Sequence, residues 1–493
     1  MPPRQVSDEE RRPLLTSEGE RNSYLDEDNE PEEEITFSEG DEDDPKQWSR
    51  KKKLTNVFII AFMAIISPLA SSMFTPGISQ IAKDLDASEE AIIATTTGFV
   101  IALGLGPLVL APFSETFGRR KVYIIAFTIF TLLQIPTAVA PNAATLIAVR
   151  TISGFFGSVG IANGGGTLND MYEAHERAGI FGWYLLGPLL GPTIGPLFGG
   201  IIITRLSWRW VYWILAIVCA FNTTIGYLFL RETYAPVILN WKRERLQQDN
   251  PEAKYKFEGQ DDRPVFAKLK QSMKRPIVIF IQPIVLTMSA YQALIFGTTY
   301  SVFTNLQSIF SEIPYCFDSE KVGLLYLCPG IGFLVSVWFI IPRIDTVYNR
   351  LTEKNNGKAM PEYRLPLANI GSVLLPVSLF WFAWTVEYRL HWAVCMAATF
   401  FYGLGQVVIF NTVQNYYIDS FSKYAASAIA GGSVFRSLAG GVVPVVAPAM
   451  FEKLGYGWGI SVFGFLAVAI GPAPLIFYYY GPRIRERFPL TLD

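Results

Sequence analysis

Charged and reactive side chains are scarce in this chain. Only 17% of its 493 residues are charged and 51% are hydrophobic, whereas a soluble protein of this length needs more charge to cover its surface. The formal net charge of −2 gives no basic field for nucleic acid. The two histidines lie far apart, and the four cysteines lie in or beside apolar runs without CxxC spacing. These absences argue against an enzyme with a nucleophile–base pair, a metal site and a disulfide framework.

Long apolar runs dominate the rest of the sequence and recur twelve times. Each run is long enough to cross a hydrocarbon core of about 30 Å, which takes about 20 helical residues. One run exceeds a single crossing, so it must tilt, kink near Pro283 or continue outside the membrane. The expected spans are 54–78, 91–113, 122–141, 144–170, 178–203, 208–230, 276–309, 320–342, 365–386, 390–418, 424–450 and 457–480.

The polar stretches between these runs divide the chain into two halves of six helices each. The sequence therefore predicts an all-α membrane protein with twelve transmembrane helices, in which a solute pathway lies between the halves. Lysine and arginine are concentrated in alternate loops, which predicts that both termini are cytoplasmic. The expected regions are a disordered acidic tail (1–48), the first half (49–230), a cytoplasmic central loop (231–275), the second half (276–481) and a cytoplasmic tail (482–493).

The acidic tail contains one short pattern, Glu10-Arg11-Arg12-Pro13-Leu14-Leu15. It resembles an acidic dileucine sorting signal, in which Glu10, Leu14 and Leu15 would contact an adaptor protein. The alternative is an ordinary solvated tail, because such short patterns arise by chance. We expect the plasma membrane as the location, with an endosomal or vacuolar membrane as the alternative.

A charged hairpin connects the second and third runs. Gly118 permits a tight turn, Arg119 and Arg120 follow it, and Glu115 lies where the second helix ends, so that it must pair or face water. Asp170 lies at the end of the fourth run. For the hairpin, the alternative is a generic basic loop. For Asp170, the alternative is a solvated loop charge.

Arg150 and a glycine-rich face are the two unusual features inside the runs. An unpaired cation in hydrocarbon costs at least ~2.5–3.5 kcal/mol, so Arg150 is expected to face the interior; the alternative is snorkelling to the interface. In the fifth run, small residues every four positions let a neighbouring helix approach closely. This face comprises Gly191, Gly195, Pro196 and Gly199.

These motifs resemble those of the major facilitator superfamily. The hairpin resembles the first signature motif, with Ala111 and Glu115 replacing the usual Gly and Asp, a departure typical of the fungal drug:proton antiporter branch with twelve helices. Residues 150–157 resemble the second motif, and residues 191–200 match the antiporter motif at every fixed position. The resemblance covers about residues 45–490.

The resemblance implies a function and several residue roles. It implies that Arg150 takes part in proton coupling, that Asp170 pairs with Arg119 or Arg120 to latch the outward-facing state, and that the fifth-helix motif favours export. It also implies a proton gradient as driving force, with no cofactor.

Polar and aromatic residues at helical spacing could line a central cavity. Such a lining suits a large, planar or weakly polar ligand, although each residue could instead bond to a neighbouring helix. No Asp or Glu lies in the middle of any run, which disfavours a polycation cargo and leaves the proton carrier unassigned. The candidates are Asn163, Trp183, Gln282, Tyr291, Gln292, Tyr300, Gln406, Asn411 and Gln414.

The sequence therefore predicts a transporter that exports a lipophilic small organic molecule (a drug, toxin or secondary metabolite), in exchange for protons and by alternating access. One alternative is an uptake permease, a proton symporter for a small polar solute. Another is a non-transporting membrane receptor. Nothing in the sequence requires more than a monomer.

Overall fold

The computed structural model describes residues 33–489, apart from 252, 254, 258–259, 261–262 and 422–424. The possible sorting signal at Glu10, Leu14 and Leu15 lies outside the described residues. Helices make up most of the described chain, and the described part of every predicted run lies mainly on helix. Nine helical stretches of the described residues are long and apolar enough to cross a membrane, or ten if one strongly bent pair counts as a span. One of these nine stretches, Ser427–Arg487, covers two of the predicted runs.

The first half contains eight helices. Side-chain caps from Ser49, Ser88 and Asn142 begin three of them, as expected for residues that satisfy the free N–H groups of a helix start. A 3-10 turn separates the first two, and Ser158 divides the fourth predicted run into two helices. The helices are α1 (Arg50–Ser72), α2 (Ile78–Asp84), α3 (Glu89–Phe117), α4 (Arg119–Ala138), α5 (Ala143–Gly157), α6 (Val159–Met171), α7 (Ala174–Arg205) and α8 (Trp208–Phe229).

The described residues after α8 form ten helices. A π-helical turn, Ser336–Ile340, connects two of them, and Gly455 turns the longest one with a φ of +74°, a conformation that favours glycine. The helices are α9 (Ala235–Asp249), α10 (Val265–Phe280), α11 (Pro283–Ser311), α12 (Ser319–Leu325), α13 (Leu327–Val335), α14 (Ile341–Lys354), α15 (Ala368–Glu387), α16 (Trp392–Ser420), α17 (Ala425–Ile470) and α18 (Ala473–Arg487).

The predicted run 276–309 breaks at Gln282. The axes of Leu269–Phe280 and Pro283–Ser311 meet at 83°, so the kink expected near Pro283 is present. Proline lacks a backbone N–H and is favoured in the first turn of a helix, which explains why α11 starts there. The expected start at 276 stays a prediction, because residues 276–280 belong to the separate helix α10, which forms the bent pair with α11.

Each half has its own hydrophobic core. One cluster of buried side chains runs from Trp48 to Leu230, with Tyr300 as its one member from the second half. The other runs from Ile279 to Phe477. The two-half arrangement therefore has a physical basis, since each half buries apolar surface mainly against itself.

Large apolar side chains also cover much of the outside of the helices. Phe58, Ile217 and Phe221 are each more than 60% exposed, in helices whose opposite faces are buried. Such a surface is unfavourable in water and suits contact with lipid chains.

Residues 33–36 and 239–260 belong to a small separate unit. Here β1 (Glu33–Glu34) pairs in parallel with β2 (Tyr255–Lys256), and the guanidinium of Arg243 lies 5.8 Å from the ring centre of Phe257. The disordered tail expected for 1–48 is therefore wrong for residues 33–48, because backbone pairing at one end and the buried side chain of Trp48 at the other fix their conformation. Residues 1–32 lie outside the description.

Candidate functional site: the hairpin networks and the seam between the halves

The charged hairpin turns at Gly118, whose φ of +98° favours glycine. Directly after it, the side chain of Arg119 points inward and the residue is only 6% exposed. Its Nε atom lies 3.1 Å from Oδ2 of Asp170, and its guanidinium donates to Oγ of Ser114 at 2.6 Å. Of the two arginines considered, Arg119 therefore meets Asp170, whereas Arg120 donates to the carbonyl oxygen of Tyr227 at 3.0 Å.

Glu232, which the sequence analysis missed, completes this network. Its two carboxylate oxygens accept hydrogen bonds from the backbone N–H groups of Arg119 at 2.8 Å and Arg120 at 3.0 Å. A buried carboxylate at the start of α4 satisfies free amides and interacts favourably with the helix dipole. The sequence signal that could have identified Glu232 was its position two residues after the end of the sixth run. Glu115 instead lies exposed at the end of α3.

The second half contains a comparable network at the same end of the bundle. Nε of Arg364 lies 2.8 Å from Oδ2 of Asp419, and its guanidinium also pairs with Asp345. Beside it, Glu362 forms an ion pair with Arg485 at 2.8 Å. Burial raises the pKa of the Glu362 carboxyl group, and Arg485 opposes that effect. We call the end of the bundle that carries these two networks the hairpin end, and the opposite end the far end.

Arg150 lies inside the first half and is 2% exposed. Its guanidinium donates to the hydroxyl of Tyr212 at 3.2 Å and to the carbonyl of Ala70 at 3.3 Å. It also stacks against aromatic rings, with its central carbon 4.4 Å from the ring centre of Phe74 and 5.0 Å from that of Phe99. Its side chain is therefore enclosed by the first half and does not reach the interface.

The glycine face of α7 packs closely against α1. A Cβ atom at Gly191 would lie 2.9 Å from the backbone nitrogen of Leu69, and one at Gly195 would lie 2.8 Å from the carbonyl oxygen of Leu69. A Cβ atom at Gly199 would overlap the backbone of Met73. Pro196 faces the other half, where its carbonyl oxygen would lie 2.6 Å from a Cβ atom at Gly323. One helix thus contacts both halves through its small residues.

The nine predicted cavity residues do not form one cluster. Asn163 contacts Ser114 in the hairpin network, and Gln282 precedes the first turn of α11 at the helix break. The side chain of Trp183 lies outside the described residues. The other six lie on α11 and α16, namely Tyr291, Gln292, Tyr300, Gln406, Asn411 and Gln414.

Several of these six residues use their polar atoms within the protein. The hydroxyl of Tyr291 donates to Ser372 at 3.3 Å, Gln406 accepts from Thr299 at 3.2 Å, and Asn411 accepts from Asn415 at 2.8 Å. The interhelical bonding considered as the alternative therefore applies to Tyr291 and Gln406, whereas the bond of Asn411 lies within α16. Among the described residues, Nε2 of Gln292 is buried without a hydrogen-bond partner. Gln414 is partly exposed.

Arg436 on α17 is the second arginine in the interior and was not among the candidates. Its guanidinium carbon lies 5.0 Å from the ring centre of Phe296 and 5.3 Å from that of Phe410. It interrupts the apolar run 424–450, and this same signal singled out Arg150 in its own run.

Polar contacts between the halves lie in the middle of the bundle and towards the far end. The hydroxyl groups of Ser71 and Tyr300 lie 3.1 Å apart, and Oγ1 of Thr97 donates to the carbonyl of Gly441 at 2.7 Å. At the far end itself, Oγ of Ser319 donates to the carbonyl of Pro76 at 2.9 Å. Beside this contact, the guanidinium of Arg205 pairs with Glu320 at 3.2 Å.

Comparison with known proteins identifies the family. Residues 60–444 match the sequence profile described as "Major Facilitator Superfamily". The chain belongs to the major facilitator superfamily. The hairpin, the interior arginine and the glycine face described above are thus features of a facilitator, and the protein is a transporter and not an enzyme.

Curated fungal proteins match over most of their length. The MFS transporter cpaT of Aspergillus oryzae is 38% identical over 447 residues, which cover 90% of this chain and 89% of that protein. The efflux pump radE of Floropilus chiversii is 36% identical over 456 residues, which cover 91% and 84%. The solved structure of the proton:xylose symporter XylE gives a TM-score of 0.63 at 13% identity, covering 88% of this chain and 96% of that one. At that identity the likeness shows the fold alone, which is the facilitator fold of a multi-pass membrane protein.

Proposed function

We propose that this facilitator exports a lipophilic small organic molecule, such as a drug, toxin or secondary metabolite, in exchange for protons. The observation that carries the proposal is the division into two separately cored halves that meet through a few polar bonds and the close-packed small residues of α7. Two bodies of this kind can rock against each other, as alternating access requires. Export is supported by relatives named efflux pumps, at 36% and 34% identity.

The proposal includes an orientation. The hairpin end carries the basic clusters 50–53 and 119–121, so it faces the cytoplasm, together with both termini. The contacts of Arg205 with Glu320 and of Ser319 with Pro76 then close the outer side. The structure corresponds to an inward-facing or occluded state under this assignment. Because the pair of Arg119 and Asp170 is formed in it, the proposal does not include the expected role of this pair as a latch of the outward-facing state alone. The plasma membrane is the location proposed, with an endosomal or vacuolar membrane as the alternative.

The proposed energy source is the proton gradient, with Arg150 as a residue on which coupling depends. Its guanidinium lies among Phe74, Phe99 and Tyr212, with hydrogen bonds to a hydroxyl and a carbonyl and no ion pair to a carboxylate among the described residues. A cation so enclosed acts on nearby protonation through its field. The adaptor contact at Glu10, Leu14 and Leu15 stays a prediction, as does the monomeric state.

Accumulation in a fungal host without its own efflux pumps tests this function. Cells that express the wild type, Arg150→Ala or the exposed control Arg350→Ala receive a panel of fluorescent drugs and aromatic metabolites, with and without a protonophore. We expect the wild type and Arg350→Ala to lower accumulation of at least one compound. We expect the protonophore or Arg150→Ala to abolish that effect, with surface labelling to show equal amounts of protein.

Other outcomes identify the alternatives. Higher accumulation in the wild type than in empty cells would contradict export and indicate an uptake permease. Export that continues in the presence of the protonophore would contradict proton exchange, but it would leave the proposal of export intact. Unchanged accumulation of every compound, with the protein present at the surface, would contradict the proposal of a lipophilic drug-type cargo and favour the receptor.

A further inference from the structure

Arg436 lies deep in the membrane-spanning part of α17. It is 11 residues from the helix start at Ala425, which corresponds to about 17 Å of helix. A guanidinium stays charged at any physiological pH, and a charge at this depth is costly unless it has a partner or faces a polar cavity.

The protein provides few groups that stabilise the charge of Arg436. One terminal nitrogen of Arg436 lies 3.4 Å from Oγ of Ser433, a long hydrogen bond within the same helix. Its Nε atom has no hydrogen-bond partner, and no carboxylate pairs with it among the described residues. The faces of Phe296 and Phe410 provide its remaining contacts. Most of its five N–H donors are thus unused by the protein.

Although its Nε atom also lacks a hydrogen-bond partner, Arg150 is the better satisfied of the two interior arginines. It is 2% exposed and bonds to Tyr212 and to the carbonyl of Ala70, within one half. Arg436 remains partly exposed and makes one weak bond. The contrast indicates that the second arginine is open to a ligand from outside the protein.

Arg436 also lies at the seam between the halves. Its neighbour Ser437 contacts Gly104 of α3 in the first half. The ring of Phe296, which Arg436 contacts, lies 5.0 Å from the ring of Tyr300, whose hydroxyl lies 3.1 Å from that of Ser71 in the first half. In a facilitator the solute pathway follows this seam, so the free donors of Arg436 lie where cargo passes.

Aromatic rings surround the same position. The ring centres of Phe296 and Tyr300 lie 5.0 Å apart, and those of Phe296 and Phe410 lie 6.2 Å apart. Rings at these separations form an apolar wall against which a planar molecule can stack.

We infer that Arg436 binds the anionic group of the cargo, and that the cargo is an aromatic organic acid whose ring body packs against Phe296 and Phe410. A guanidinium presents parallel N–H groups that match the two oxygens of a carboxylate. This inference rests on the proposed transport function and narrows its cargo to one chemical class, carboxylates or comparably acidic phenols and enols.

Binding to the purified full-length protein in nanodiscs tests this inference without regard to the direction of transport. The probes are naphthalene, anthracene and coumarin carboxylates, each paired with its primary carboxamide, at a pH where the acids are ionised. We expect the wild type to bind at least one carboxylate roughly tenfold more tightly than its carboxamide, a difference of about 1.4 kcal/mol.

Three variants of the protein distinguish anion binding from a structural role. Arg436→Gln is expected to abolish the preference for carboxylate over carboxamide, Arg436→Lys to keep part of it, and the exposed control Arg350→Gln to keep all of it. The ratio of the two affinities is insensitive to a partly unfolded sample. Equal affinities in the wild type, an undiminished preference in Arg436→Gln, or no binding of any carboxylate would overturn the inference.

The same pairs, applied in the accumulation assay, separate this inference from the proposed function. If the transporter lowers the accumulation of carboxamides but not of carboxylates, the anion site is wrong and export stands. If carboxylates bind through Arg436 and accumulate more in transporter-expressing cells, the anion site stands and export is wrong.

Discussion

Nε of Arg119 and Oδ2 of Asp170 meet at 3.1 Å within the first half, and Arg364 and Asp419 meet at 2.8 Å in the corresponding place of the second. Each pair joins the loop between the second and third helices of its half to the end of the fourth. These contacts hold each half together at the hairpin end, independently of the other half. Ion pairs therefore help to hold each half together, as the proposed alternating access requires.

Asp170→Asn is expected to destabilise the first half by about 3 kcal/mol, because removing one charge leaves Arg119 buried and unpaired. The matched control is Glu115→Gln, the same chemical change at the same end in an exposed side chain. We expect this control to change stability by less than about 0.5 kcal/mol. The free energy of unfolding, measured by steric trapping in bicelles, checks both values, and equal effects would show that the ion pair adds nothing.

Glu232→Ala is expected to loosen the first turn of α4. The N–H groups of Arg119 and Arg120 lose their acceptors, which costs about 1 kcal/mol and corresponds to roughly fivefold faster amide exchange in this turn. Hydrogen–deuterium exchange with mass spectrometry measures this directly. Glu232→Gln keeps an acceptor oxygen and should show a smaller increase. Unchanged exchange in Glu232→Ala would mean that water replaces the carboxylate without cost.

Gly195→Ala is expected to destabilise the protein by about 1–3 kcal/mol, since the new methyl group would lie 2.8 Å from the carbonyl oxygen of Leu69 and the backbone must move. Gly187→Ala is the matched control on the same helix, where the nearest atom is Cβ of Ile65 at 3.3 Å. Alanine is a better helix former by about 1 kcal/mol, so we expect this control to be near neutral. Thermal unfolding measures the stability of both variants. A Gly195→Ala protein as stable as the wild type would contradict close packing of α1 against α7.

Cross-linking the far end is expected to stop transport. Cysteines at Arg205 and Glu320, whose side chains now pair at 3.2 Å, can be joined by a short bifunctional methanethiosulfonate after the native cysteines are replaced. Alternating access separates this contact in each cycle, so we expect a loss of transport of more than about tenfold that a reductant reverses.

The control for this experiment is a pair that does not join the two halves. Lys46, which directly precedes the first half, and Glu173, which lies within it, also form an exposed ion pair at 3.2 Å. Cross-linked cysteines at these two positions should leave transport unchanged. Full transport by the Arg205–Glu320 cross-linked protein would contradict movement of the halves at this end.

Part of the site could be predicted because its signals are local. Gly118 and the two arginines after it are consecutive, and a cation within an apolar run identified Arg150 without any knowledge of its neighbours. The contact of Asp170 with the hairpin was accessible because the family resemblance supplied it. The same local signal was present at Arg436, so that omission was avoidable.

Partners that come from distant parts of the chain could not be predicted. Glu232 reaches the amides of Arg119 and Arg120 across 112 or more residues, and Tyr300 reaches Ser71 across 229. The cavity residues show the same limit: helical spacing places Asn163 on a face, but its neighbour Ser114 is set by how α3 and α6 cross.

The sequence by itself determined that this protein lies in a membrane, because the length of an apolar run and the depth of a helix in lipid are properties of consecutive residues. It also indicated a kink near Pro283 as one of three possibilities, since a proline acts on its own backbone. The tertiary structure decided which charges are paired and which are free. Arg150 and Arg436 have the same signature in the sequence. Only the packing of neighbouring helices gives the first two hydrogen bonds to other helices and leaves the second with one long bond within its own helix.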